Sequence, residues 1–497
     1  MNLTKKFNNL DKYTKLAIII ILIGTIVRFS LAMIYHVSGD ACWHMSVARF
    51  IANNDFKIPL FEPLGRGVFW VFPFFHFIAA ILYKIFFIFG ENAAESSMKF
   101  ISPIFGSLTL VLIFQIAKKL YNKKIAFYAT LFLTFLPISI YYSSISFLGS
   151  TVSFFVALSV LFMLKKRVVI SAISVSIAIL TKYIAIFILP LLLYLLYINN
   201  KDKKEVIKKI FILGLIIFIA LVPWFARNYL MIGNPVYPFF DSTGSEETFS
   251  GISPSNLFNL DNLSRIYLGL FGIPHGKISS FSFIDIPLLE LFLAGWLIFT
   301  ILFSLPFFIG IFTINYKKNS TKMLIIWISS FIIGLLIYIM NVGVAYPRLL
   351  LACLAAIAII WALGLEKIMN NLKKYKKIIK LFLVCCIIMF ISVEFIKFTI
   401  AANAWEFYSE DFNWVKENTN KEDVFMVGGQ CIHFNINRFT IDQKEDINDA
   451  NYIWYNKNFK LDPASILKKE TIDEIDNRNL KQAYYNQKTG TRIYEIN

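Results

Sequence analysis

The chain has 497 residues, 57% of them hydrophobic and 51 of them Phe, a composition far outside that of soluble globular domains. Several apolar runs reach the roughly 20 residues needed to cross a bilayer, which excludes a soluble enzyme and points to a polytopic membrane protein. The formal net charge of +17 does not indicate nucleic acid, because the lysines cluster between apolar runs, as cytoplasmic flanks do.

Basic clusters fix the expected topology. Lys5, Lys6, Lys12 and Lys15 put the N-terminus inside. A first span covers about 17–35; it lacks a small-residue cleavage signal and reads as a retained helix. It leads outside into SGDACWH (38–44), where Asp40 stands at a natural N-cap position for the helix that follows. The next basic cluster, KKLYNKK (118–124), belongs inside, so only one of the two intervening apolar stretches, 68–89 and 98–117, can cross. Pro73, His76, Lys84 and saturation with Phe make 68–89 the one that lies along the outer face, half in the interface.

From there the pattern alternates. Spans follow at 98–117, 125–142 and 148–164, with YYSSISFLGS (141–150) as a small outer loop. Two short spans meet outside at TKY (181–183) and return to KDKKEVIKK (201–209). A seventh span, 210–226, exits at PWFARN, and 227–284 form a large outer loop. Spans at 286–313, 323–341, up to about 364 and 378–400 bring the total to eleven and leave the C-terminus outside. Composition shifts at about 401: 16 of the 32 acidic residues lie in the last 97 residues, against 12 basic ones. There EDVFMVGG, ANYIWYN and TRIYEIN read as strands and DFNWVKENT as a capped amphipathic helix, a small extracytoplasmic α/β domain (401–497) beside a transmembrane domain (1–400). Gly428-Gly429 lacks a dinucleotide-binding pattern.

Charges in or beside membrane spans are costly and point to function. Arg28 lies inside the first span, either snorkelling or paired within the bundle. The outer side, which should be poor in Lys and Arg, carries Arg49, Arg66, Lys182, Arg227 and Arg348 around the acids Asp40 and Glu62. Such a basic lining suits an anionic ligand, and Arg and Lys at span ends suit a phosphate. Each has a bland counterpart: Arg66 as a solvated loop charge, Arg227 and Arg348 as interfacial anchors, Asp40 as a helix cap or a partner of Arg49, and His44, His76 and His275 as packed or hydrogen-bonded side chains. Neither HExxH nor a His–carboxylate cluster marks a metal site, and the five cysteines show no metal-ligand spacing.

The ordered motifs SGDACWH, PLFEPLGRGVFWVFPFFHFIAAILYKIFFIFG with KFISPIFGSLTLVLIFQIAKKLYNKK, LTKY, VPWFARNYLMIGNPVYPFF and YPRLLLACLAAIAI together resemble the GT-C polytopic glycosyltransferases, in particular the protein-mannosyltransferase and aminoarabinose-transferase branch. The resemblance covers parts of residues 20–360 and leaves out the C-terminal region. It implies a helical membrane fold with outer-face interfacial helices and a sugar donor carried on polyprenyl or dolichyl phosphate. It also implies transfer on the outer face with inversion, and a general base in the first outer loop, here Asp40. Lys182, Arg227, Arg348 and Arg66 then become candidate ligands of the donor phosphate. Glu62, His44, Trp43, Tyr237 and His275 become candidate substrate contacts. Many relatives carry a second acid in the loop after the third span; YYSSISFLGS has none, which weakens any case for a divalent metal, and no other cofactor is called for. The acceptor, whether protein, lipid or glycan, is not legible. A secondary transporter would need repeated halves with broken helices about a midplane site, and a catalytically inactive assembly or binding protein would share the motifs without turnover.

Overall fold

The computed structural model describes residues 7, 9–60, 69–237, 253–272, 287–427, 429–441, 447–459, 461, 469–478 and 480–496. In chain order the helices are α1 (Lys12–Ile34), α2 (Asp40–Asn53), α3 (Phe74–Phe86), α4 (Glu91–Met98), α5 (Ile101–Leu120), α6 (Lys123–Phe135), α7 (Pro137–Tyr142), α8 (Leu148–Leu164), α9 (Val168–Ile179), α10 (Leu189–Asn199), α11 (Lys203–Ile232), α12 (Leu260–Phe271), α13 (Pro287–Thr313), α14 (Asn319–Val342), α15 (Leu354–Asn371), α16 (Lys376–Glu406) and α17 (Ser409–Asn418). Beyond them come β1 (Val424–Met426), α18 (Gln430–Ile436), β2 (Phe439–Ile441), β3 (Tyr452–Tyr455), α19 (Lys469–Arg478), β4 (Lys481–Tyr485) and β5 (Arg492–Glu495). The chain packs as two compact units: residues 1–30, 102–144 and 148–394 form one, and residues 31–101, 145–147 and 395–497 the other.

The first unit is a helical bundle. Its centre is aromatic: Phe132 stacks on Phe303, Trp361 packs tilted against both, and Phe390 meets Phe303 edge-on. The polar handles of the buried indoles are satisfied on backbone, Trp361 Nε1 donating to Phe303 O and Trp327 Nε1 to Ala352 O. Helices α13 and α15 pack with their backbones in direct contact, because a Cβ at Gly364 would run into the carbonyl of Pro306 and the amide of Gly310.

Polar contacts gather at one end of this bundle. Lys123 pairs with Asp11 and Lys124 with Glu366, each at 2.9 Å. Asn199 Nδ2 donates to Met163 O, and Tyr194 OH to Asn319 Oδ1. The N-terminal segment, the α5–α6 turn, the α8 end, the α10 end, the α14 start and the α15 end therefore share one face. In the expected non-crossing stretch, α3 has 13 residues, about 20 Å of helix against roughly 30 Å of hydrocarbon.

Among the described residues, seven helical stretches are long and apolar enough to cross a membrane: Lys12–Ile34, Glu91–Leu120, Lys203–Ile232, Gly295–Thr313, Asn319–Val342, Pro347–Asn371 and Lys373–Glu406. The other four expected spans are shorter pieces. The stretch at 125–142 breaks at Leu136, whose extended backbone precedes Pro137, leaving α6 and the six-residue α7. Helices α8 and α9 have 17 and 12 residues, and the return after TKY is a 3-10 turn followed by α10. Length alone therefore does not establish a total of eleven. The seventh span is longer than expected: α11 runs from Lys203 to Ile232 through Pro223, so Arg227 lies inside a helix and not beyond its end.

In the second unit the sheet runs in the order β2-β1-β3-β5-β4, with β1 parallel to β2 and β3, and β5 antiparallel to β3 and β4. Met426, Ile441, Ile453 and Ile475 form its core. The three expected strands are present; β2 and β4 were not anticipated, being short or only half-buried. The amphipathic helix is also present as α17, but it begins at Ser409 after Tyr408 and has no side-chain cap. A buried carboxylate, Asp411, ties it to the sheet by accepting from Tyr484 OH, Asn486 Nδ2 and Thr491 Oγ1.

Candidate functional site

Asp40 opens α2 in the second unit. Gly39, not Asp40, is the N-cap: its φ of 58° lies in the left-handed region that glycine adopts without strain. Asp40 is thus the first helical residue, with an exposed side chain and the positive end of the helix beside it. Its expected structural partner is engaged elsewhere. Arg49 pairs with Glu95 at 2.5 Å and donates to Phe434 O, with its guanidinium 5.1 Å above the Phe434 ring.

One helical turn beyond Asp40, His44 is buried and its Nδ1 lies 3.0 Å from His76 Nε2. Aromatic rings surround the pair: Trp43 meets both imidazoles edge-on and stacks on Phe69, and Phe75 and Phe147 close on His44. His44 is therefore a packed, hydrogen-bonded residue, while half-buried Trp43 is the partner with surface to spare. Glu62, Arg66 and His275 lie outside the described residues.

The first unit carries the candidate cations. Lys182 sits at the break between α9 and the 3-10 turn at Tyr183–Ile188, with extended backbone. Arg348 lies in the 3-10 turn Pro347–Cys353, stacks over the Tyr346 ring at 4.6 Å and is close enough to Tyr183 for their charges to interact. The structure thus brings the LTKY and YPR motifs together, and both are helix breaks rather than helix interiors. Arg227 stacks over Trp224 at 5.0 Å and donates to Asn228 Oδ1 at 2.9 Å. Asn228 is fully buried, a member of PWFARN that the sequence did not single out. Tyr237 is half-buried in the turn after α11, its amide donating to Asn234 O.

The loop that lacks the second acid has a defined form. Ser139, Tyr142, Ser143, Ser150 and Ser153 line a cavity with Thr109, and Arg28 bonds to two of these serines, Ser139 and Ser143. Arg28 is fully buried and bonds to neutral acceptors: Nε to Ser143 Oγ, one terminal nitrogen to Gly24 O, the other to Ser139 Oγ and Leu133 O. It is paired within the bundle and does not snorkel. Among the described residues no three His, Cys, Asp or Glu side chains converge as a cation site.

The feature that sequence reasoning missed is a disulfide. Cys42 and Cys431 are joined across 389 residues. The signal available was two cysteines on segments both expected outside, where oxidation is permitted.

Residues 71–226 match the family model described as dolichyl-phosphate-mannose-protein mannosyltransferase. No curated protein matches the sequence. Among solved structures, ArnT from Cupriavidus metallidurans bound to undecaprenyl phosphate superimposes with a TM-score of 0.62 at 11% identity, over 96% of this chain and 97% of that one. The fold is that of the GT-C glycosyltransferases. Other GT-C structures align as well. The archaeal oligosaccharyltransferase AglB from Archaeoglobus fulgidus, in complex with an inhibitory peptide and a dolichol-phosphate, has a TM-score of 0.55 at 12% identity, over 97% of this chain and 74% of that one. The arabinofuranosyltransferase AftD from Mycobacteria has a TM-score of 0.55 at 10% identity, over 96% of this chain and 40% of that one. The GT-C alignment with ArnT takes in the C-terminal α/β region, which the sequence motifs left out.

Proposed function

We propose that this chain is a glycosyltransferase that moves a sugar from a polyprenyl- or dolichyl-phosphate carrier to an acceptor hydroxyl or amide on the outer face of the cell membrane. The N-terminus is cytoplasmic and the C-terminal α/β domain extracytoplasmic. The observation that carries the reading is the whole-chain GT-C fold with an exposed carboxylate, Asp40, on the first turn of the helix just past the first span.

The chemistry follows from the groups. In a single displacement the acceptor atom forms a bond to the anomeric carbon as the bond from that carbon to the phosphate oxygen breaks, inverting the centre. The acceptor proton passes to Asp40, since such an atom is a poor nucleophile until it is deprotonated. The leaving phosphate is already a weak base and needs no acid. It needs fixed cations to meet its charge, the role we assign to Arg348, Lys182 and Arg227, with Arg66 as a further candidate. Guanidinium groups stacked on aromatic rings, as Arg227 and Arg348 are, lose little entropy on binding an oxyanion. Trp43 and Tyr237 supply aromatic surface for a sugar ring, and Glu62 and His275 are further candidate contacts. No step requires a metal.

The test is transfer of radiolabelled sugar from a panel of hexosyl and pentosyl polyprenyl phosphates by the purified chain in nanodiscs, to its native membrane glycans and proteins. Transfer with inversion supports the reading. Donor binding without turnover would make the chain an inactive relative, and substrate movement across the membrane without bond cleavage would make it a transporter.

A further inference from the structure

Helix α2, which begins with Asp40, is held from its other side by the C-terminal region. Cys42, its third residue, is bonded to Cys431, the second residue of α18. Both sulfurs are buried. Two turns further along, Arg49 donates to Phe434 O at 3.2 and 3.3 Å and lies over the Phe434 ring. Around this contact Asn437 Nδ2 donates to Glu91 Oε1 at 2.7 Å, Asn435 shares a hydrogen bond with His36, and His36 stacks on Trp405 at 5.1 Å. The helix is therefore fixed twice by one partner: covalently at the turn that carries Asp40, and by a guanidinium–carbonyl bond near its end. A 14-residue helix has little stability of its own, so these attachments decide how firmly its first turn is held.

We infer that Cys431 and α18 are positioning elements for Asp40, so that the C-terminal region completes the catalytic geometry. The inference rests on the reading of Asp40 as the general base. Cys431 touches no reactant; it acts by restricting the turn from which the carboxylate projects, and such restriction matters because small misplacements of a base are costly.

The experiment uses the full chain in nanodiscs. Tris(2-carboxyethyl)phosphine reduces the bond: the phosphine becomes its oxide, taking oxygen from water, and each sulfur takes a proton. Cys42→Ser/Cys431→Ser gives the same state without a reductant. Backbone hydrogen exchange over residues 40–46 and steady-state kinetics with the polyprenyl-phosphate sugar are read on both, with thiol labelling to confirm the state. Opening the bond is expected to speed exchange in that window about tenfold and lower kcat about tenfold or more, with the donor KM changed less than about twofold. Reoxidation restores both in the reduced wild type. Unchanged exchange overturns the inference, and so does faster exchange with kcat unchanged. Asp40→Asn, run in parallel, separates the two readings: retained turnover there removes the base, whereas the exchange measurement judges the clamp even if no donor is turned over.

Discussion

Arg28 Nε donates to Ser143 Oγ across 2.7 Å, joining the first span to the turn after α7 over a sequence separation of 115 residues. A guanidinium inside a membrane bundle is costly unless its donors are met, and here hydroxyls and carbonyls meet them. The fit depends on Gly106, since a Cβ there would collide with Ser143 Cβ and approach the guanidinium. Gly106→Ala should destabilise the purified protein by about 1–3 kcal/mol. Adding Ser143→Gly should recover part of that loss, because it removes the atom in the way. Thermal unfolding in detergent measures both; no difference between the single and double variants would show that the bundle relaxes elsewhere.

Asp40→Asn keeps the shape of the side chain while removing the base, and Gly39 rather than Asp40 caps the helix, so folding should be normal. Turnover should fall roughly 100-fold or more. Asp40→Glu should retain at most partial activity, because the carboxylate moves outward by a methylene. Rates at matched protein levels decide. A stable Asn variant within about twofold of wild type, against the loss a missing base should give, would move the search to Glu62.

Loss of a cation that meets the leaving phosphate should cost about 2–4 kcal/mol of transition-state stabilisation, roughly 30- to 1000-fold in rate. Arg348→Ala and Lys182→Ala are expected in this range, and Arg348→Lys only partly rescued because it loses the planar fork. Arg227→Ala tests whether its stack on Trp224 serves the donor or only the interface. Wild-type efficiency in all three variants would reduce these residues to membrane anchors.

His433 gives the second unit a pH dependence. Burial, reinforced by the nearby Arg49 charge, holds its pKa down at about 3 from an ordinary 6.5. Below pH 6.5 the unfolded chain takes up a proton that the folded chain refuses, so stability falls as pH drops toward 3. The slope is at most about 1.4 kcal/mol per pH unit. Between pH 6.5 and 4.5 that amounts to about 2.3 kcal/mol, because the slope is only half its maximum at pH 6.5. Denaturant unfolding followed by tryptophan fluorescence should show it, and His433→Gln should flatten the profile over this window.

Topology is open to labelling in a background lacking the free cysteines Cys353, Cys385 and Cys386. Single cysteines at the exposed positions Lys57, Lys119 and Lys421 report on three segments. A membrane-impermeant reagent applied outside should reach positions 57 and 421 and not 119. Reaction at 119 from outside would reverse the orientation read from the basic clusters.

Where burial and charge act locally, the sequence was informative. The lysine clusters around 118–124 and 367–377 marked one end of the bundle, and the Lys123–Asp11 and Lys124–Glu366 pairs bear this out in space. Parity makes Phe-rich 68–89 the non-crossing stretch, and α3 within it has 13 residues. Span lengths were less legible. Hydropathy does not register the extended backbone at Leu136 before Pro137, nor the continuation of α11 past Pro223. Pairings over hundreds of residues leave no local trace: Arg49 chose Glu95 and a C-terminal carbonyl over nearby Asp40, and Cys42 found Cys431. The serine-rich loop was noticed for the acid it lacks, whereas what it supplies is a hydroxyl lining beside Arg28.

The bond between Cys42 and Cys431 also orders events during synthesis. Cys42 emerges early, and its partner is made 389 residues later. An even number of membrane crossings must separate them, and every one has to be threaded before the sulfurs can meet. Until then Cys42 stays a thiol, open to capture by a disulfide-exchange catalyst or by a wrong partner. Closure of this bond therefore waits for the C-terminal region. A ribosome that stalls before Cys431, or a protease that removes that region early, releases a chain with its helices inserted and α2 unsecured.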